Sequence, residues 1–115
     1  MSEIIETLHR KNLKIVQKEN VFRFCIDAVL LSHFASARST DKVVDLCSGN
    51  AIVPLLMYAE NFGNHFSAIE IQTEIAELAK KSVSLNSLEE KICVINDDLK
   101  NVKKYFSPQS VDVVT

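Results

Sequence analysis

The chain has 115 residues, of which 47% are hydrophobic and 24% are charged, which predicts a single globular domain with one modest core. A formal net charge of −2 excludes a global electrostatic attraction to nucleic acid. The cysteines Cys25, Cys47 and Cys93 are widely spaced, which argues against a disulfide framework or a zinc site and indicates reduced thiols. Because charges interrupt every long apolar stretch, we expect a cytoplasmic protein without a signal peptide or a transmembrane segment.

The first third of the chain predicts a small extension of the domain. Residues 2–12 are typical of a frayed start or a short helix with its apolar residues on one side. Apolar and polar residues alternate over 13–17 and again over 21–24, which predicts a β-hairpin. Asp27 precedes an apolar run over 28–35 and can provide the N-cap of a helix there.

From residue 43 onward, strand and helix patterns alternate. We predict strands over 43–47, 66–71, 92–96 and 111–115, helices over 52–60 and 73–86, and a polar loop or weak helix over 99–108. This period predicts an α/β fold with a Rossmann-like, doubly wound and mainly parallel sheet, its four strands in the order 3-2-1-4. The extension (1–42) and this core (43–115) would form one domain. We expect Gly63 to end the first core helix and Glu77 to pair with Lys81.

The turn after the first core strand is built from small residues between Cys47 and Ala51. Gly49 can adopt the positive φ that tight turns need, and its missing side chain lets a ligand approach backbone N–H groups at the start of the next helix. An ordinary βα loop also favours glycine and asparagine. The turn alone therefore leaves both interpretations open.

Acidic residues follow three of the predicted strands, at the edge where open α/β sheets bind ligands. They are Asp45, Glu70 and the pair Asp97 and Asp98. Glu70 lies about twenty residues past the glycine turn, the spacing at which an acid accepts from both ribose hydroxyls of a nucleoside. Asp97 or Asp98 could accept from an adenine amino group. Each acid taken singly could equally be a solvated strand end.

The pattern favours a nucleoside cofactor without a pyrophosphate. A dinucleotide fingerprint needs Gly-x-Gly-x-x-Gly. In this turn the three glycine positions are occupied by Cys47, Gly49 and Ile52, so only the second is a glycine. The missing glycines disfavour a nicotinamide-dependent oxidoreductase. S-adenosylmethionine requires a strand-end aspartate, a turn that permits close approach and a ribose-binding acid, and the chain contains all of these.

Four stretches of the chain together resemble a known family. They are Phe22-x-Phe24-x-x-Asp27-Ala28-Val29-Leu30-Leu31, Asp45-Leu46-Cys47-Ser48-Gly49-Asn50-Ala51, Ile69-Glu70-Ile71-Gln72 and Asn96-Asp97-Asp98-Leu99. The second stretch resembles motif I of class I S-adenosylmethionine-dependent methyltransferases. In this order, the four resemble the bacterial adenine-N6 methyltransferases that act on valine tRNA beside the anticodon, over residues 13–115.

The resemblance implies roles for residues around the methionine part of S-adenosylmethionine. Asp45 and the backbone of Cys47 and Gly49 would border it, and Phe24 and Asp27 would cover the cofactor from the N-terminal side. Alanine stands at position 51 where the family usually has glycine. We expect that methyl group to crowd the turn and to weaken cofactor binding without abolishing it.

The resemblance also implies roles around the adenosine part. Glu70 would bind the ribose, and Ile71 would flank the adenine. Asp98, which precedes Leu99, would accept from the adenine amino group. These four residues and the five around the methionine part make up the predicted cofactor site, and no metal is expected.

The resemblance assigns no catalytic residue to this chain. In the family, the fourth strand is followed by Asn-Pro-Pro-Tyr, which holds the target amino group and stacks on the base. Because the sequence stops at Thr115, we expect a fragment that is inactive by itself and that could self-associate through an exposed fourth strand. The complete protein would methylate the N6 amino group of adenine in tRNA. The alternative is a non-catalytic module that binds a nucleoside or a partner protein.

Overall fold

The computed structural model describes residues 3–8, 11–18 and 26–115. Its elements, in chain order, are β1 (Glu3–Thr7), β2 (Lys14–Lys18), α1 (Ile26–Phe34), β3 (Lys42–Leu46), α2 (Ile52–Ala59), β4 (His65–Ile69), α3 (Thr73–Leu85), β5 (Ile92–Ile95), a 3₁₀ helix (Leu99–Lys104) and β6 (Val113–Val114). The helices and strands predicted beyond residue 26 are all present, with bounds shifted by up to 2 residues.

Strands β3 to β6 form a parallel four-stranded sheet in the order β5-β4-β3-β6. This is the predicted order 3-2-1-4, and it confirms the Rossmann-like α/β fold. The register pairs Val43 with Phe66 and Phe66 with Ile92, so these three side chains lie in one row across the sheet. The carboxyl ends of β3, β4 and β5 therefore meet at one edge.

The N-terminal segment differs from the prediction. Residues 3–7 form a strand that pairs antiparallel with β2, so the expectation of a frayed start or a short helix over 2–12 was wrong. Three of its five residues are β-branched (Ile4, Ile5 and Thr7), which favours a strand once a partner strand is available. The second strand of the predicted hairpin, over 21–24, lies outside the described residues.

Helix α1 begins before the position predicted for it. Because Ile26 is already helical, Asp27 lies inside the helix and the prediction of an Asp27 N-cap was wrong. The carboxylate of Asp27 accepts from the N–H of Ala28 at 2.9 Å instead. The side chain is exposed at the start of the helix.

The α-helices of the described chain pack on one face of the parallel sheet. Val43, Phe66 and Ile92 share a core cluster with α2 and α3 residues, and Ala28 of α1 packs against it. The opposite face carries Val44, which lines a cavity with residues of the loop after the 3₁₀ helix. None of the described helices is both long and apolar enough to cross a membrane.

Asn61, rather than Gly63, ends helix α2. Asn61 has a left-handed φ of 62°, its N–H donates to Tyr58 at 3.0 Å, and the N–H of Phe62 donates to Met57 at 2.9 Å. These two hydrogen bonds form a Schellman motif, in which asparagine takes the position often held by glycine. The expectation that Gly63 stops the helix was therefore wrong.

The ion pairs on α3 also differ from the prediction. Glu77 lies 3.6 Å from Lys80, at a spacing of three residues, and not beside Lys81. Lys81 instead pairs with Glu3 of β1. A charge on α3 therefore contacts the hairpin formed by β1 and β2, called the N-terminal hairpin below. The pattern of the helix alone could not predict this contact.

Gly63 is needed for packing. A Cβ atom there would lie 2.8 Å from Cζ of Phe66 and 2.9 Å from Cγ2 of Val43, both of which are buried core side chains. We predict that Gly63→Ala lowers the free energy of unfolding by about 2–4 kcal/mol, from overpacking and from a φ of 95°. Chemical denaturation would measure the loss.

Gly49→Ala is the matched control, because Gly49 also has a positive φ but a Cβ there would meet nothing within 4 Å. We expect this variant to lose only about 1 kcal/mol, from backbone strain. Equal losses in the two variants would contradict the assignment of the Gly63 cost to Phe66 and Val43.

Candidate functional site

The turn between β3 and α2 contains three left-handed residues within five positions. They are Cys47 (φ 55°), Gly49 (φ 61°) and Ala51 (φ 68°). The predicted positive φ of Gly49 is confirmed. Space beside the Gly49 Cα is open, so a ligand can reach its backbone there.

The methyl group of Ala51 points into the protein core. It is fully buried and belongs to a small cluster with Ala68 and Ala79, between the sheet and α3. The methyl therefore packs into the core at the start of α2 and lies away from the open side of the turn at Gly49. The left-handed φ of Ala51 carries a backbone cost of roughly 1–2 kcal/mol.

Glu70 joins the turns that follow β3 and β4. Its side chain is only 6% exposed; Oε1 accepts from the N–H of Gly49 at 2.9 Å, and Oε2 accepts from the N–H of Gln72 at 2.8 Å. A carboxylate oxygen has two lone pairs, so each oxygen keeps one acceptor position for a ligand. Glu70 therefore organises the site before any ligand arrives.

Asp45 lies beneath the turn and is 4% exposed. Its two carboxylate oxygens accept from the hydroxyl of Ser48 at 2.7 Å and the hydroxyl of Thr115 at 2.9 Å. Burial raises the pKa of the Asp45 carboxyl, and the hydrogen bonds from Ser48 and Thr115 offset part of that rise. The side chain is thus a buried acid held by two hydroxyl groups.

Asp97 and Asp98, of which the family resemblance singled out Asp98, have different surroundings. The carboxylate of Asp97 accepts from Tyr105, Asn101 and the N–H of Asp98, and these bonds, Tyr105 foremost, lower its pKa to about 2. Asp98 accepts from the N–H of Lys100 at 2.9 Å and caps the 3₁₀ helix. Asp97 therefore holds the loop, and Asp98 is the better placed of the two for a ligand.

Sequence reasoning missed several residues that shape this edge. The side-chain amide of Asn96 donates to the carbonyls of Glu70 and Ile71 at 3.0 and 3.1 Å and so ties β5 to the end of β4. The hydroxyl of Tyr105 donates to the carboxylate of Asp97, and Tyr105 lies in a segment whose hydrophobic residues show no helical or strand period. Asn96 adjoins the acidic pair in sequence, which was a usable signal, whereas nothing in the sequence marked Tyr105.

Two cavities meet at the glycine turn. The first, of about 370 Å³, is lined by six of the predicted site residues: Cys47, Gly49, Glu70, Ile71, Asp98 and Leu99. The second, of about 270 Å³, is lined by four of them: Asp27, Asp45, Cys47 and Gly49. The structure thus brings eight of the nine together, and Phe24 lies outside the described residues. Cys47 and Gly49 line both cavities, so one extended ligand could span them.

The described residues contain no group of three or more His, Cys, Asp and Glu side chains that could hold a metal ion. Cys47 and Cys93 are exposed free thiols, and Cys25 lies outside the described residues. The chemistry that the site can offer consists of carboxylate acceptors, backbone N–H donors and apolar surface.

The raised pKa of Asp45 predicts a pH-dependent contribution to stability. The folded chain takes up this proton at a higher pH than the unfolded chain, whose carboxyl titrates near its ordinary value of 3.8. The resulting stabilisation is complete below that value and is lost as the pH rises through the folded pKa. Asp45→Asn removes the titration. Urea unfolding should show that the stability of the wild type relative to Asp45→Asn increases as the pH falls.

Glu89→Gln, an exchange at an exposed acid, is the control for general titration of the surface. A stability difference between the wild type and Asp45→Asn that does not change with pH would contradict the raised pKa.

Tyr105→Phe tests the hydrogen bond that contributes most to the low pKa of Asp97. Removing the hydroxyl should raise the pKa of Asp97 from about 2 towards 3.8, which NMR titration of the carboxyl carbon would measure. Asn101→Ala removes the second contribution and should cause a smaller rise. A larger rise in Asn101→Ala than in Tyr105→Phe would reverse the assignment.

No family model matches the chain. A curated relative is the tRNA1(Val) (adenine(37)-N6)-methyltransferase of Dyadobacter fermentans, which is 22% identical over 104 residues. The match covers 90% of this chain and 42% of the relative, so the chain spans about two fifths of that protein's length.

Solved structures share the fold. TYW2 of P. horikoshii in complex with MeSAdo has a TM-score of 0.71 and 16% identity, over 97% of this chain and 42% of that chain. TrmK of M. capricolum with S-adenosyl-homocysteine has a TM-score of 0.65 and 18% identity, over 81% and 40%. The chain therefore has the Rossmann-like fold of these proteins. The curated relative agrees with the resemblance to methyltransferases that the sequence motifs of this chain indicate.

Proposed function

We propose that this chain binds S-adenosylmethionine as part of a methyltransferase that acts on tRNA in the cytoplasm. The observation that carries the proposal is the meeting of two cavities at the glycine turn, with Asp45 in one and Glu70 and Asp98 in the other. The curated relative is named as a tRNA methyltransferase, and TrmK was crystallised with the demethylated cofactor. Both support this choice.

The adenosine part would occupy the larger cavity. Glu70 keeps an acceptor position on each carboxylate oxygen for the two ribose hydroxyls, and Asp98 would accept from the adenine amino group. Ile71 and Leu99 are apolar side chains that are 60% and 42% exposed at this cavity. A purine ring would cover them, so binding would remove apolar surface from water.

The methionine part would extend past the turn into the smaller cavity. Asp45 lies in this cavity with Asp27 of α1, and the open side of Gly49 faces the passage between the two cavities. Phe24 would add cover from the N-terminal side. The acids around the site would favour a cationic ligand, and S-adenosylmethionine carries both a sulfonium and an ammonium group.

The bound cofactor would supply an activated methyl group, so the protein needs neither a metal nor a covalent intermediate of its own. The described residues would bind and orient the cofactor through Glu70, Asp98 and the turn, which is the contribution of positioning to catalysis. We propose the N6 amino group of adenine as the methyl acceptor, on the strength of the relative's name. A base in tRNA would have to leave its stack to reach the methyl group.

Glu70→Ala tests the proposed function. Titration calorimetry with S-adenosyl-homocysteine should show binding to the wild type and at least about a tenfold loss in the variant, since a charged hydrogen bond contributes roughly 1.5–3 kcal/mol. Glu70→Gln keeps the side-chain shape and one acceptor oxygen but turns its NH2 donor towards one of the two backbone N–H groups, so it should also lose affinity. NAD should not bind to any of the three proteins.

Glu77→Ala is the matched control, because it removes an exposed glutamate from α3, away from both cavities. Circular dichroism would verify that each variant is folded. Unchanged affinity in folded Glu70→Ala would overturn the ribose assignment. Absence of binding to the wild type would overturn the proposed cofactor.

A further inference from the structure

A buried side-chain amide links the N-terminal hairpin to the glycine turn. Gln17 of β2 is 2% exposed and follows the buried residues Ile15 and Val16. The side-chain N–H of Asn50, itself 5% exposed, donates to Oε1 of Gln17 at 3.3 Å. A buried amide is costly unless it is hydrogen-bonded, so this contact helps to stabilise both side chains.

The position of β2 is set by polar side chains of α3. The hydroxyl of Ser82 accepts from the N–H of Val16 at 2.8 Å. Just beyond the helix, Asn86 accepts from the N–H of Lys14 at 2.8 Å and donates to its carbonyl at 2.6 Å. These bonds satisfy the backbone of β2 much as a neighbouring strand would. The hairpin is therefore docked in one register, which places Gln17 at the turn.

Asn50 lies at a strained point of the turn, between the left-handed residues Gly49 and Ala51. Strained backbone persists only where its surroundings hold it. On one side, the N–H of Ser48 donates to the carbonyl of Ile69 at 2.8 Å. On the other side, the Asn50 side chain is bonded to Gln17.

We propose that Gln17 is a positioning residue for the glycine turn, and that the N-terminal hairpin is thereby part of the ligand site without touching the ligand. Gln17 lines neither cavity, whereas Asn50 lines the smaller one. Gln17 acts through Asn50 on the orientation of the neighbouring Gly49 N–H, which donates to Glu70. Its effect on ligand affinity rests on the proposed function, but its effect on the turn does not.

Gln17→Leu tests this inference, since it replaces the amide with an apolar side chain of similar size and so removes the acceptor. In the ligand-free protein, amide hydrogen exchange at Gly49 should become about fivefold faster relative to the buried sheet amides. The affinity for S-adenosyl-homocysteine should fall by about the same factor. In a double-mutant cycle, the effects of Gln17→Leu and Asn50→Ala should not add.

Asn86→Ala is the matched control. It loosens the hairpin on α3 and should lower overall stability, but Ser82 still holds β2 and Gln17 keeps its acceptor, so it should speed the exchange at Gly49 less than Gln17→Leu does. A larger acceleration at Gly49 in Gln17→Leu than in Asn86→Ala would support the inference even if the wild type binds no S-adenosyl-homocysteine, a result that overturns the proposed function alone. Unchanged relative exchange at Gly49 in Gln17→Leu would overturn the inference.

Discussion

The hydrogen bond from the Gly49 N–H to Glu70 is the contact on which the edge of the sheet depends. It joins the turns that follow two neighbouring parallel strands, and the second oxygen of Glu70 holds the N–H of Gln72. The carboxylate therefore sets the relative position of both turns in the ligand-free chain. A ligand that used Glu70 would find its acceptor already oriented and would not incur the cost of ordering it.

The turn itself is held in an unfavourable conformation by its neighbours. Cys47 and Ala51 adopt left-handed φ values that only glycine adopts easily, and the buried cluster of small residues around Ala51 leaves room for its methyl group. The same turn is hydrogen-bonded to the backbone of β4 through Ser48 and to Gln17 of the N-terminal hairpin through Asn50. The hairpin is therefore coupled to the site through packing, although it precedes the Rossmann-like core in sequence.

The acids at this edge are accommodated in different ways. Glu70 receives backbone N–H groups, Asp45 is buried with two hydroxyl donors, and Asp97 receives Tyr105 and two further donors. These surroundings assign different tasks: Asp97 stabilises the loop after β5, while Glu70 and Asp98 retain acceptor positions towards the larger cavity. The sequence placed all of these acids at one edge but did not predict which protein groups hold each of them.

Local patterns in the sequence were sufficient to predict the core. The regular spacing of apolar residues from position 43 onward predicted the strands, the helices and their parallel order, and the positions of Asp45, Glu70 and the pair Asp97 and Asp98 at the strand ends predicted the candidate site. The spacing of apolar residues depends only on positions that are close in sequence, so it can be recognised without knowing the tertiary structure.

The remaining features depend on contacts between segments that are distant in sequence. The short segment over 2–12 has too few residues for its period to distinguish strand from helix, and its pairing with β2 settled the matter. Asn50 and Gln17 are 33 residues apart, and Lys14 and Asn86 are 72 apart. The partner of a buried polar group depends on which elements pack together, and no local pattern in the sequence records that.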